Sequence, residues 1–173
     1  MGAATRPLRV MLDTTVLVAG SGWPRWPRAV LLAALNGAFE VVLCPCLLEE
    51  ARRVVAKRFS PEHLARLDEW LDETRYLLAA DATPAELARH AGLVRDAADL
   101  PIIIAALNAG VDYLVSEDKD LTDCNVIADH RERHLAVLLS GTFLKEVIGW
   151  SSDALEQVRG RTWADMETDT GLA

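Results

Sequence analysis

Four acidic residues stand where a sheet protein could use them. Asp13 follows the apolar run at 8–12, Asp118 follows the run at 111–115, and Glu50 and Asp99 belong to segments of helical spacing between them. A strand that ends in an ionised side chain places that charge at the carboxyl edge, where ligands bind in open α/β sheets. If the strands ending at Leu12 and Val115 are neighbours, Asp13 and Asp118 face each other. Two carboxylates about 4 Å apart repel by about 4 kcal/mol at an effective dielectric of about 20, so a group of four calls for a cation. Carboxylate oxygens suit Mg²⁺ or Mn²⁺, whereas Zn²⁺ favours His and Cys. Such an ion acidifies water and stabilises charge on phosphoryl oxygens, and phosphodiester hydrolysis is the reaction it serves best.

Each acid also has a plainer explanation. An Asp after a strand is often a turn former, and Asp99, directly before Leu100-Pro101, is a competent helix N-cap worth about 1 kcal/mol. Glu50 is harder to explain this way. Residues three and four apart share a helix face, so Glu50 stands with Leu47 and Val54 on the border of an apolar stripe, an expensive place for a charge without a partner.

The elements needed to position these residues can be read in outline. Residues 8–12 form a first strand, and the segment 20–24, Gly-Ser-Gly-Trp-Pro, is expected as loop. A helix from about Pro27 stops at Asn36-Gly37, and a second strand follows at 39–43. Helices at 47–58 and 61–76 precede a short strand at 77–79. Thr83-Pro84-Ala-Glu86 has the grammar of a helix start, and a helix at 100–108 ends near Gly110, before the strand at 111–115. A strand at 135–139 and a helix at 143–148 complete the pattern. Strands alternating with helices imply an α/β fold, a three-layer α/β/α sandwich with a mostly parallel central sheet of about five strands.

The chain of 173 residues suits one domain, expected as a flexible N-terminus at 1–7, a folded domain at 8–149 and a polar tail or docking segment at 150–173. With 51% apolar and 25% charged residues it has the composition of a folding protein. No stretch reaches the roughly 20 apolar residues of a membrane span and no signal segment opens the chain, so a cytoplasmic location without membrane contact is expected. Its three cysteines build no even disulfide framework, and its net charge of −8 argues against a general nucleic-acid coat.

At four motifs the chain resembles the PIN-domain ribonucleases, which include VapC-like toxins of toxin-antitoxin pairs. These are Met11-Leu-Asp13-Thr-Thr15-Val-Leu-Val18, Leu47-Leu-Glu-Glu50, Asp96-Ala-Ala-Asp99-Leu-Pro-Ile-Ile-Ile-Ala-Ala-Leu107 and Asp112-Tyr-Leu-Val-Ser116-Glu-Asp118-Lys-Asp120-Leu121. The resemblance implies that Asp13, Glu50, Asp99 and Asp118 form the catalytic metal site, with Asp120 as accessory acid. It further implies a single-stranded or looped RNA substrate, a homodimer and, for a toxin, an antitoxin protein covering the acidic groove. Thr15 stands where many relatives carry Asn, and Leu100 where some carry another acid. Thr15 can still donate a hydrogen bond to a carboxylate, and Ser116 suits the same supporting task.

Three side readings accompany this one. Trp23-Pro-Arg25-Trp26-Pro-Arg28 interleaves aromatic and basic groups near the first acidic turn, so these four side chains could contact RNA or simply pack as a proline-stiffened loop. Lys119 could steer a phosphate or pair with an acid. Cys44-Pro-Cys46 with His130 and His134 has the residue types of a zinc set but the wrong spacing for a compact finger. Two other functions compete with the nuclease. One is a receiver-like phosphoacceptor signalling module, which usually wants paired acids after the first strand, where Asp13 stands alone. The other is a PIN-like module that binds RNA or protein without cutting.

Overall fold

A computed structural model describes residues 6–122 and 135–169. Residues 1–5, most of the segment expected to be flexible, lie outside the described residues, as do Cys124, His130 and His134. Five strands, β1 (Arg9–Leu12), β2 (Glu40–Leu43), β3 (Tyr76–Leu78), β4 (Tyr113–Val115) and β5 (Ala136–Leu138), form one sheet in the order β3-β2-β1-β4-β5. Every pairing is parallel, including β1 with β4, which sets Leu12 opposite Val115. Chain order reverses direction at β1, so β1 and β4 flank the switch point where a crevice opens at the carboxyl edge. The expected sandwich is what the chain forms.

Alternate strand residues feed two separate cores. Val10, Leu12, Val41, Leu43 and Val115 pack on one face with α1 (Thr14–Gly22), α2 (Trp26–Leu35), α3 (Pro45–Arg58) and α4 (Pro61–Glu73). Met11, Val42 and Leu114 pack on the other with α6 (Leu100–Ala109), whose Ile103, Ala105 and Ala106 are fully buried. The period-2 side-chain alternation of strands is what divides them.

Helix ends follow the expected grammar. The short helix α5 (Pro84–Arg89) opens with a reciprocal capping box, Thr83 accepting from the Glu86 N–H while Glu86 accepts from the Thr83 N–H. Helix α6 ends at Gly110, whose φ of +62° is left-handed and favours glycine.

The largest departure from the expected pattern lies at 14–22. The Gly-Ser-Gly expected as loop is instead the last turn of α1. Gly20 and Gly22 are used for closeness rather than for turning. A Cβ on Gly20 would sit 2.6 Å from Leu31 Cδ1, and one on Gly22 would sit 2.3 Å from the His63 ring. Close packing on α2 and α4 thus outweighs the roughly 1 kcal/mol that each glycine costs a helix.

A short helix, α7 (Lys119–Thr122), follows β4, and beyond β5 helix α8 (Ser140–Phe143) runs into a wider π-type turn at Leu144–Ile148. Residues 150–169 then form α9 (Ser152–Arg159) and α10 (Trp163–Asp169). Trp26 Nε1 donates to the Leu155 carbonyl at 2.8 Å, and Trp163 Nε1 donates to the Gly22 carbonyl at 3.0 Å. This polar segment is therefore docked against the end of α1 and the start of α2. Among the described residues no helix is long and apolar enough to cross a membrane.

Candidate active site

The carboxyl edge of the sheet opens into a cavity of about 560 Å³ whose lining includes Asp13, Glu50, Asp99 and Asp118 together. Four separate segments deliver them. The Asp13 N–H donates to the Val115 carbonyl at 2.9 Å, which carries the β1–β4 pairing one residue past the strands and fixes Asp13 at the edge. Helix α3 supplies Glu50 from the same face as Leu47 and Val54, and all three line the cavity, as their helical spacing requires. Asp99 closes a 3₁₀ turn at Ala97–Asp99 leading into α6. Asp118 follows β4 by three residues.

Asp13 is held tightly. Its Oδ1 accepts from the Thr14 N–H at 2.7 Å, while its Oδ2 accepts from Thr15 Oγ1 at 2.6 Å and from Ser116 Oγ at 2.7 Å. The two hydroxyls serve the opposite side as well, since Thr15 Oγ1 accepts from the Glu117 N–H and Ser116 Oγ from the Asp118 N–H, each at 3.0 Å. Thr15 and Ser116 thus couple the turn after β1 to the turn after β4. The Asp120 N–H donates to Asp118 Oδ1 at 2.8 Å, a local bond that shapes the acidic turn.

Asp99 makes no side-chain cap on α6, so the innocent explanation of its position fails; Asp96 caps the preceding turn by accepting from the Ala98 N–H at 2.9 Å. The Asp99 carboxyl is pushed from its ordinary 3.8 up to about 6, first by burial and then by the charges of Asp118, Asp96, Asp13 and Asp120. Burial and like charge both oppose ionisation at this position, a combination common at functional sites. Asp120 contributes charge without lining the cavity, and its carboxylate meets Arg95 at 2.8 Å in an exposed pair. Glu50 is about half exposed, accepts from Thr14 Oγ1 at 3.2 Å, and has Arg53 at 3.7 Å.

The aromatic and basic candidates separate. Trp23 lines the acidic cavity and is 44% exposed, its ring in T-shaped contacts with Phe59 and His63. Arg25 and Arg28 line a different depression, shared with Trp150, Val158 and other residues of the C-terminal segment. Trp26 is partly buried against α9, and the Arg28 guanidinium stands over the Trp163 ring at 5.7 Å. Lys119 is exposed and is not part of the cavity wall.

Three contributors escaped the sequence reading. Thr14, adjacent to the better signal of Thr15, reaches Glu50. Glu117 points away from the cavity, and its Oε1 accepts from the Ser140 N–H at 3.1 Å, anchoring the acidic turn to the helix after β5. Asp96 raises the proton affinity of Asp99, and the three-residue spacing of the two acids was the available clue.

A parallel, doubly wound sheet with carboxylates converging at its switch point defines an α/β protein with an acidic ligand cavity. The family model for the PIN domain matches residues 9–120, and the chain belongs to that family. The PIN domain is a nuclease-type fold whose members are generally metal-dependent nucleases acting on RNA. No curated protein sequence matches the chain. Among solved structures, PAE2754 from Pyrobaculum aerophilum is similar in fold, with a TM-score of 0.57 and 17% identity over 83% of this chain and 91% of that one. Both the family and the fold class expected from the sequence are thereby borne out. Family membership leaves the receiver-like reading without support.

Proposed function

We propose that the protein is a metal-dependent endoribonuclease that hydrolyses phosphodiester bonds of single-stranded or structured RNA. The observation that carries this reading is the convergence of four carboxylates on one cavity, with Asp99 driven up to about 6 by burial and its acidic neighbours. A donor set made of carboxylate oxygens fits a hard divalent ion, Mg²⁺ or Mn²⁺, which Asp13, Glu50, Asp99 and Asp118 would hold with Asp120 as accessory acid. When bound, such an ion supplies an acidified water and a Lewis acid for the phosphoryl oxygens.

The chain's own residues would do the rest. Thr15 and Ser116 would keep Asp13 oriented by their hydrogen bonds to its Oδ2. Trp23 offers a stacking surface for a base beside the scissile phosphate. The apolar wall of Leu47, Val54 and Ile102 excludes water from one side and strengthens every charge interaction opposite. The deciding experiment incubates purified protein with labelled single-stranded RNA and Mg²⁺ or Mn²⁺, with chelator and Asp99→Asn prepared identically. Cleavage that needs both the metal and Asp99 supports the assignment; equal cleavage by the variant refutes it, and metal binding without any cleavage favours the non-catalytic PIN-like module.

An antitoxin partner and a homodimer extend this reading. Co-expression with whatever small protein is encoded beside this chain, followed by a test for relief of growth arrest, would separate a toxin from a housekeeping nuclease. Sedimentation of the purified chain reports whether it is a dimer.

A further inference from the structure

Cys44, Cys46 and Asp81 bring one Sγ, a second Sγ and a carboxylate oxygen within 4.8 Å of one another, at a place the proposed nuclease chemistry does not use. Cys44 is fully buried directly after β2, Cys46 is the second residue of α3, and Asp81 arrives from the segment after the neighbouring strand β3. The Cys46 N–H donates to Asp81 Oδ1 at 3.0 Å, which aims the carboxylate at the thiol pair. The two sulfurs stand 3.2 Å apart. We propose that these three residues form a thiophilic metal site that takes one borderline-soft divalent cation, Zn²⁺ being the natural occupant, with water completing the coordination.

Geometry favours a metal over a disulfide. Two sulfurs on a tetrahedral zinc, each at about 2.3 Å, lie roughly 3.8 Å from each other, so the pair must open by about half an ångström. A disulfide at about 2.05 Å requires the sulfurs to close by more than 1 Å across Pro45, whose ring fixes the first residue of α3. A cation would replace the thiol protons and take the Asp81 carboxylate, which already accepts from both thiols, as a third ligand. The donor set of two sulfurs and one oxygen also discriminates against Mg²⁺, which suits the four carboxylates of the adjoining cavity. Bound there, the cation ties the segment after β3 to the start of α3, the helix that carries Glu50, and Cys46 itself forms part of the acidic cavity wall. His130 and His134, the partners suggested by residue type in the sequence, are not needed.

The test uses the reduced full chain carrying Cys124→Ser, which removes the third thiol, with Co²⁺ as spectroscopic probe. One Co²⁺ per chain should bind with a thiolate-to-cobalt charge-transfer band, survive excess Mg²⁺, and be displaced by Zn²⁺. Adding Cys46→Ser should abolish the band, and Asp81→Asn should weaken binding by about tenfold or more. Asp99→Asn should leave the band unchanged, so this site can fail or stand independently of the nuclease reading. Cys46 is only half buried, and far-UV circular dichroism reports whether its variant keeps the fold. Absence of the band in the reduced protein, its persistence in Cys46→Ser, or loss of two hydrogens by mass in place of metal uptake would overturn the proposal.

Discussion

Replacing Asp99 by Asn should make the protein more stable while destroying its proposed activity. A carboxyl moved from 3.8 to about 6 is costly to ionise inside the fold, by about 3 kcal/mol at 1.36 kcal/mol per pH unit. The side chain is partly open to water, and screening reduces the expected gain to roughly 1–2 kcal/mol. Its sign follows from linkage. The folded state binds this proton more tightly than the unfolded chain, so wild-type stability falls as pH rises from about 3.8 through about 6, and the neutral amide of the Asp99→Asn variant escapes that loss. Nothing is forfeited in capping, because the Asp99 side chain makes no cap bond to α6. Urea unfolding should therefore give coincident curves near pH 4 and, at pH 7.5, a midpoint about 0.5–1 M higher for the variant, given slopes of about 2 kcal/mol/M. Saturating Mg²⁺ should then reverse the ranking, stabilising the wild type by about 2.7 kcal/mol at a hundred times its dissociation constant and the variant by less. A variant that is no more stable at pH 7.5, or whose advantage does not shrink toward pH 4, would refute the idea that burial and acidic neighbours penalise the Asp99 charge.

Mg²⁺ affinity measured by calorimetry should weaken as pH falls through about 6, because the Asp99 proton competes with the ion, and should be flat above about pH 7. Ser116→Ala and Thr15→Ala should each lower cleavage by about 10–100-fold through loss of an anchor on Asp13 Oδ2, with Thr15→Ser retaining most of it. Gly22→Ala should cost about 1–3 kcal/mol in urea unfolding, because its Cβ meets the His63 ring at 2.3 Å and that ring is held by Val18 and Ser21. Gly160→Ala, with open space around its Cβ, should stay within about 0.5 kcal/mol and serves as the matched control.

The sheet was legible because its strands carry the two signals a parallel sheet leaves in sequence, short apolar runs and an acid or turn residue at the carboxyl end. Helix ends were legible where one residue type is demanded, as at Thr83, Pro84 and Gly110. What sequence could not show was contact. The Gly20-Ser21-Gly22 segment looks like a loop because glycine weakens an isolated helix, and only the approach of Leu31 and His63 explains its use there. The Trp-Pro-Arg repeat looks like one patch, but α2 begins at Trp26 and divides it. Trp23 stays at the cavity, whereas Trp26 and Arg28 turn toward α9 and α10, helices whose partners lie more than a hundred residues earlier in the chain. The Cys44–Asp81 meeting is of the same kind, created by the β2–β3 pairing and absent from any local motif.

The raised proton affinity of Asp99 and the proposed preference for a hard cation draw on the same arrangement of acids. Asp13 is held by three donors and the Asp118 carboxylate by the N–H of Asp120 in its own turn, which fixes two of the four acids in place. Burial first, and then the charges of its acidic neighbours, raise the proton affinity of Asp99. Those fixed positions set part of the spacing that the proposed ion would have to match, and small hard cations are the more demanding of spacing. Loosening Asp13 should then lower Mg²⁺ affinity and the Asp99 proton affinity together, since both draw on the same crowding of charge. A purely structural role for Thr15 and Ser116 predicts a change in stability with the titration of Asp99 left where it was. Carbon-detected NMR of the Asp99 carboxyl in Ser116→Ala separates the two, and an unmoved titration would detach the hydroxyls from the electrostatics of the cavity.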